Sequence, residues 1–96
     1  MRELILNGAD WATKDDVYEA FFRVVGAPEW HRRNLDAIAD SIRGGSINRV
    51  EVPYRLVIKS YGMIGPNAKP VADRFISLVH ELAAEGCPVD IRHEGE

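Results

Sequence analysis

The sequence predicts a small α/β protein in which three strands form a parallel or mostly parallel sheet flanked by helices. Three short apolar segments alternate with amphipathic segments of helical period, in the order β-α-α-β-α-β along 96 residues. A helical crossover between two strands makes those strands parallel, and such connections are right-handed. The length suits a single domain, residues 1–96, and no repeat or linker divides it.

Three segments are predicted to be strands. Residues 2–6 form a nearly continuous apolar run, which is typical of a strand buried on both faces, so we expect this strand to be the central one. Residues 54–59 follow Pro53, which stands where no hydrogen-bond donor to the ladder is required. Val89 and Ile91 alternate with polar residues and predict a closing strand.

Three helical segments separate these strands. The first begins at Thr13, which with Asp16 forms the pattern of a capping box, and it ends at Gly26. The second is predicted at about 35–43 and the third at about 70–85. The side chains expected to face the core are Val17, Phe21 and Val24 in the first helix, Leu35, Ile38 and Ile42 in the second, and Val71, Phe75, Leu78 and Leu82 in the third.

Composition and charge limit the classes of function. Hydrophobic residues make up 46% of the chain and charged residues 28%, which is typical of a globular protein. Cys87 is the only cysteine, so no internal disulfide can form and a reducing compartment, the cytoplasm, is expected. No segment fits a signal peptide or a membrane span. A net charge of −3 disfavours binding to a phosphate backbone and favours a basic protein partner.

The most informative polar residues lie in the segment 28–45. Asp36 and Asp40 are four residues apart, so both project from one face of the predicted second helix, with Cβ atoms roughly 6 Å apart. Asn34 is a suitable N-cap, because its side-chain oxygen can accept a hydrogen bond from a first-turn N–H. Trp30 precedes them in a polar loop, and a tryptophan beside two carboxylates suits a binding hot spot.

A structural interpretation of the same residues stays open. Arg32 and Arg33 precede Asp36, and Arg43 follows Asp40 by three residues, so local ion pairs could account for every charge in the segment. Trp30 could fasten the loop to the core.

The sequence contains no established catalytic, phosphate-binding, cofactor or metal-ligand motif. His31 with Asp36 and Asp40 comes nearest to a general-base cluster, but no nucleophile or metal partner accompanies it. We therefore expect neither enzyme activity nor a cofactor. Nucleic-acid binding through the arginines between residues 32 and 49 is disfavoured, because carboxylates are interspersed among them.

The segment resembles the barstar family of ribonuclease inhibitors. The most specific match is the run NLDAIAD at 34–40, preceded by Pro28-Glu29 and an aromatic residue and followed by Gly44. Weaker matches, in order along nearly the whole chain, are Asn7-Gly8 after the first strand, Glu51-x-Pro53 before the second, and Ala84-Glu85-Gly86-Cys87 after the third helix. The family's three-stranded parallel sheet with flanking helices agrees with the predicted order of elements.

The resemblance implies an inhibitor that blocks the active site of a ribonuclease by mimicry. The acidic second helix would enter a cationic cleft and occupy the phosphate site. Asp40 would be the phosphate mimic and Asp36 a second carboxylate, with Trp30 as the stacking aromatic and His31 beside it in the binding loop. The remaining implied contacts are Asn34 at the loop edge, Gly44 where the partner's backbone approaches, and Glu81 as a peripheral carboxylate.

The chain departs from the family pattern at positions that bear on the partner. Arg32 and Arg33 would repel a strongly basic cleft, and Ala39 stands where a tryptophan is familiar. The partner is therefore expected to be a ribonuclease or another nuclease toxin, with the inhibitor monomeric when free. The alternative is a module of the same fold that binds a non-ribonuclease protein. Independently of that choice, Glu81 could be an ordinary solvated residue of the third helix.

Overall fold

Strands and helices follow one another in the order β-α-α-β-α-β, as the sequence predicts. The computed structural model describes residues 1–27, 34–44, 50 and 52–96. The strands are β1 (Arg2–Asn7), β2 (Tyr54–Lys59) and β3 (Val89–His93), and the helices are α1 (Lys14–Val25), α2 (Leu35–Gly44) and α3 (Lys69–Ala84). Short 3-10 turns at Gly8–Asp10 and Tyr61–Met63 follow β1 and β2.

The strand order in the sheet is β1-β2-β3, and both neighbouring pairs are parallel. The central strand is β2, so the prediction that residues 2–6 form the central strand is wrong. On β1 only one face is covered: Leu4 and Leu6 are buried, whereas Ile5 is 51% exposed. Val57 of β2, which pairs with Ile5 in the register of the two strands, is fully buried. An apolar run in sequence does not distinguish a central strand from an edge strand that leaves one apolar side chain in water.

The helices pack on one face of the sheet and form a single core with it. The sheet contributes Leu4, Leu6, Tyr54, Leu56, Ile58, Val89 and Ile91 to this core. Phe21 of α1 is fully buried and lies edge-on to Phe75 of α3, with ring centroids 5.6 Å apart. Edge-to-face contacts of this kind add to the stabilisation from burial itself.

Local sequence signals fix the ends of the first helix. The Asp16 carboxylate accepts hydrogen bonds from the backbone N–H groups of Ala12 and Thr13, at 2.8 and 2.9 Å. These bonds satisfy donors that a helix N-terminus leaves unpaired, and they lower the pKa of Asp16. Gly26 ends α1 with a φ of 69°, which a glycine adopts without strain.

The core-facing side of α3 agrees in part with the prediction. Phe75 and Leu82 are fully buried as expected, and Val71 and Leu78 are half-buried and packed against the core. The fully buried Ala72 and Val79 were not among the predicted core residues. Two adjacent stripes of this helix are apolar at helical spacing. Packing selects the one that contains the small Ala72. Val24 of α1 is likewise half-buried, and Val25 takes its place in the core.

The other face of the sheet carries a set of charged side chains, here called the charge ladder: Glu3, Arg55, Lys59, Asp90, Arg92 and Glu94. Arg55 lies at its centre and donates to Asp90 at 2.8 Å and to Glu3 at 3.3 Å. Val57 is fully buried on this face, and it does not belong to the core that the described helices form with the sheet. Long charged side chains cover apolar surface with their stems while their heads stay in water.

Candidate functional site

The candidate site begins with the cap of α2. Asn34 Oδ1 accepts a hydrogen bond from the Ala37 N–H at 2.7 Å, and the Asn34 carbonyl accepts from the Ile38 N–H. The prediction that Asn34 is the N-cap is therefore confirmed. This cap sets where the helix begins and hence which direction its acidic residues face.

The opposite faces of α2 have different roles. Ile38 and Ile42 are buried to 2% exposure or less, which anchors the helix on the core. Asp36 and Asp40 are both exposed. Neither carboxylate forms a hydrogen bond or ion pair with a residue that the structure describes. Ala39 is buried and contributes almost no surface to this face.

Arg43 does not form the local pair with Asp40 that its spacing allows. Its guanidinium instead binds Glu85, beyond the end of α3, with Nη2 at 3.0 Å from both carboxylate oxygens and Nε at 3.3 Å from Oε2. The hydrogen bond and charge of Glu85 are the main causes that raise the pKa of Arg43, and Asp40 contributes least. The ion pair places the C-terminal ends of α2 and α3 side by side.

Together these helices present an acidic face, defined here by Asp36, Asp40, Arg43, Glu81 and Glu85. Glu81 is exposed one turn before Glu85, and its carboxylate has no hydrogen bond or ion pair with a described residue. Among the described residues that define it, four carboxylates against one guanidinium give this face an excess of three negative charges. A surface of this kind attracts a cationic partner over a distance set by ionic strength.

Gly44 is the last residue of α2 and is exposed. A Cβ at this position would meet no atom of the described residues within 4 Å, so none of them requires a glycine here. The predicted binding residues Trp30 and His31 lie outside the described residues, and so do Arg32, Arg33 and Arg49.

No pattern in the sequence indicates the partner of Arg43. Arg43 and Glu85 are 42 residues apart, and no spacing rule connects them. Glu85 stood out only as part of the Ala84-Glu85-Gly86 match, which gave it no role.

No sequence pattern indicates a second polar cluster, which lies at the carboxyl ends of β2 and β3. The Tyr61 hydroxyl donates to Asp73 at 2.5 Å, Lys69 Nζ lies 4.4 Å from the Tyr61 ring, and His93 stacks on that ring at 4.3 Å. The bond to Asp73 raises the pKa of Tyr61. The hydroxyl therefore acts as a donor here, which fits a structural contact better than a proton acceptor.

Within residues 1–27, 34–44, 50 and 52–96, no group of three or more His, Cys, Asp or Glu side chains is arranged to hold a metal ion. None of the described helices is both long enough and apolar enough to cross a membrane.

Comparison with known proteins supplies the family. The family model described as Barstar (barnase inhibitor) matches residues 1–94. A relative in Bacillus subtilis (strain 168), YrdF, is described provisionally as a ribonuclease inhibitor. It is 26% identical over 85 residues, which cover 88% of this chain and 89% of that protein.

Proposed function

The chain belongs to the barstar family, and on this premise we propose that it is a protein inhibitor that blocks a ribonuclease active site with its acidic second helix, α2, and the loop before it. The observation that carries the proposal is the state of Asp36 and Asp40. Both are exposed on a helix that is anchored by its opposite face, and both lack an ion-pair partner among the described residues.

The chemistry of the presumed target explains why such carboxylates are useful. A ribonuclease cleft is cationic because it binds phosphate groups, and a carboxylate can take the place of a phosphate oxygen there. Asp40, in the middle of α2, is proposed as the phosphate mimic, and Asp36 as the carboxylate that meets neighbouring basic groups. Asp36 lies in the first turn of α2, where the helix dipole favours an anion even without a partner.

Electrostatics and rigidity act at different stages of binding. The excess negative charge of the acidic face accelerates the encounter with a basic cleft. The anchored helix limits the entropy that is lost when the carboxylates are fixed in the complex. Charge pairs that lose their water in the complex then slow dissociation.

The remaining binding residues are proposed from the family resemblance and from their place in the sequence. Trp30 and His31 would contact the partner from the loop before α2, with Asn34 at the loop edge. Gly44 leaves open space at the end of α2 for the approach of another backbone. Glu81 adds a carboxylate from α3.

We propose in addition that the protein is cytoplasmic, monomeric when free and without enzyme activity or cofactor. An inhibitor of this kind protects the producing cell as an immunity protein or antitoxin against a nuclease.

The experiment that tests this function is inhibition of RNA hydrolysis by barnase. Increasing amounts of the wild type are expected to block hydrolysis at one inhibitor per enzyme, and Asp40→Ala is expected to lose this effect while remaining folded. Glu94→Gln, which removes the same charge from the charge ladder, is the matched control and should inhibit like the wild type. Full inhibition by Asp40→Ala would contradict the proposed site.

A second candidate is a barstar-fold module that binds a protein other than a ribonuclease. Arg32 and Arg33, next to the acidic face in sequence, favour it because they would oppose a strongly basic cleft. On this alternative the wild type leaves barnase activity unchanged, and a nuclease with acidic groups at the rim of its cleft is the next partner to assay.

A further inference from the structure

The acidic face contains one internal competitor for its own carboxylates. Arg43 follows Asp40 by three residues on α2, and side chains at this spacing are neighbours on a helix surface. A guanidinium bound to Asp40 would neutralise the carboxylate that the proposed function places at the centre of the interface. The structure shows this guanidinium bound to Glu85 instead.

The geometry of that pair fixes where the guanidinium lies. Two nitrogens of Arg43 contact the carboxylate of Glu85, at 3.0 and 3.3 Å, which uses the planar donor edge of arginine. Both side chains are about half exposed, at 50% and 52%. An exposed pair contributes little to stability. What the pair determines here is where the positive charge of Arg43 lies, which is beside Glu85.

We infer that Glu85 is a positioning residue of the binding site, which acts by holding Arg43 away from Asp40 and so keeps the Asp40 carboxylate free for a cationic partner. This inference rests on the proposed function. Glu85 acts through Arg43 and not by touching the partner. Without Glu85, the guanidinium turns to Asp40 and competes with the partner's cation.

The free protein provides the first test. Carboxyl ¹³C chemical shifts of Asp40 and Glu85 are measured by NMR at pH 7 in wild type, Arg43→Gln, Glu85→Ala and the double variant. In the wild-type background, Arg43→Gln should move the Glu85 signal and leave that of Asp40 in place. In the Glu85→Ala background, the same substitution should move the Asp40 signal. An Asp40 signal that responds equally to Arg43→Gln in both backgrounds would overturn the inference.

The second test is the affinity for barnase of the same four proteins. Glu85→Ala should weaken binding by about two- to fivefold, the range of exposed ion pairs. In the Arg43→Gln background the same substitution should have almost no effect. An equal loss in both backgrounds would mean that Glu85 contacts the nuclease directly, and no loss in either would mean that Arg43 does not compete; both results overturn the inference. Asp15→Asn, a charge removal on α1, controls for net charge.

The two tests keep the proposals separate. A wild type that fails to bind barnase contradicts the proposed function as stated, and the NMR measurement then decides on Glu85 by itself. A wild type that binds barnase, with an Asp40 signal that already depends on Arg43, supports the function and overturns the role of Glu85.

Discussion

The protein has two highly charged surfaces, and they treat their charges in opposite ways. In the charge ladder, on the open face of the sheet, Arg55 forms ion pairs with Glu3 and Asp90. Glu94 forms ion pairs with Lys59 and Arg92. On the acidic face, Asp36 and Asp40 have no ion pair with a described residue. The difference separates charges that pair with one another from carboxylates without a described partner, which the proposed function assigns to another molecule.

The charge ladder shows how paired charged side chains can cover one face of a sheet. A parallel sheet with one face open is unusual, because both faces of such sheets are commonly covered by helices. Val57 is fully buried on this face, and we expect the stems of the paired charged side chains around it to shield it from water. On α2, the apolar side chains already face the core, so its carboxylates have no comparable apolar surface to cover.

Charge reversal should separate the two surfaces most strongly. Asp40→Lys places a cation against a cationic cleft, and we expect it to lower the affinity for barnase by at least about 4 kcal/mol, within the range known for charge pairs in such complexes, barnase–barstar among them. Glu94→Lys should leave affinity unchanged and lower stability instead. Surface plasmon resonance and thermal unfolding measure the two effects. Equal loss of affinity in both variants would remove the distinction between the surfaces.

A smaller effect is expected for Val57, on the same face of the sheet as the charge ladder. Val57→Ala removes two buried methyl groups and should lower the free energy of unfolding by about 2 kcal/mol. Its neighbour across the sheet, Ile5, is 51% exposed on the same face, so Ile5→Ala should cost much less. Urea unfolding of both variants measures the difference. Similar losses would show that the ladder does not shield Val57 from water.

The charge ladder should also make the stability of the fold depend on pH in the acidic range. Arg55 lowers the pKa of Asp90, and Lys59 lowers that of Glu94. Such carboxylates stabilise the fold above their ordinary pKa, and this contribution is lost as the pH falls through the lowered folded-state pKa, below about 4. Arg55→Gln should therefore lower the melting temperature by about 1–4 °C at pH 7 and by less at pH 2. An equal difference at both pH values would contradict the pairing, and added salt should reduce the effect at pH 7.

The smallest effect is expected for the stability of Asp40→Ala. This substitution removes a like-charge neighbour of Asp36 and breaks no ion pair with a described residue, so stability should stay the same or rise by up to about 0.5 kcal/mol. Thermal unfolding measures it. A clear loss of stability would mean that Asp40 is a structural residue.

Much of the fold could be predicted from the sequence because its signals are local. The capping box at Asp16, the glycine that ends α1 and the N-cap at Asn34 each act within a few residues. The position of β1 at the sheet edge and the full burial of Ala72 and Val79 in α3 depend on packing between distant segments. No local pattern contains that information.

The candidate site likewise has one part that local sequence signals predict and one part that they do not. The shared face of Asp36 and Asp40 follows from their four-residue spacing on a helix. Whether Arg43 pairs with Asp40 depends on where its guanidinium points. The structure pairs it with Glu85, 42 residues away in sequence.

Calorimetric titration into barnase shows whether Asp40 is held free for a cationic partner. Wild type and Asp40→Ala are titrated at about 50 and about 300 mM salt, a range over which screening of exposed charges changes strongly. We expect tight binding of the wild type that weakens with salt and is lost in the variant. Equal affinity of wild type and Asp40→Ala, with no dependence on salt, would contradict it.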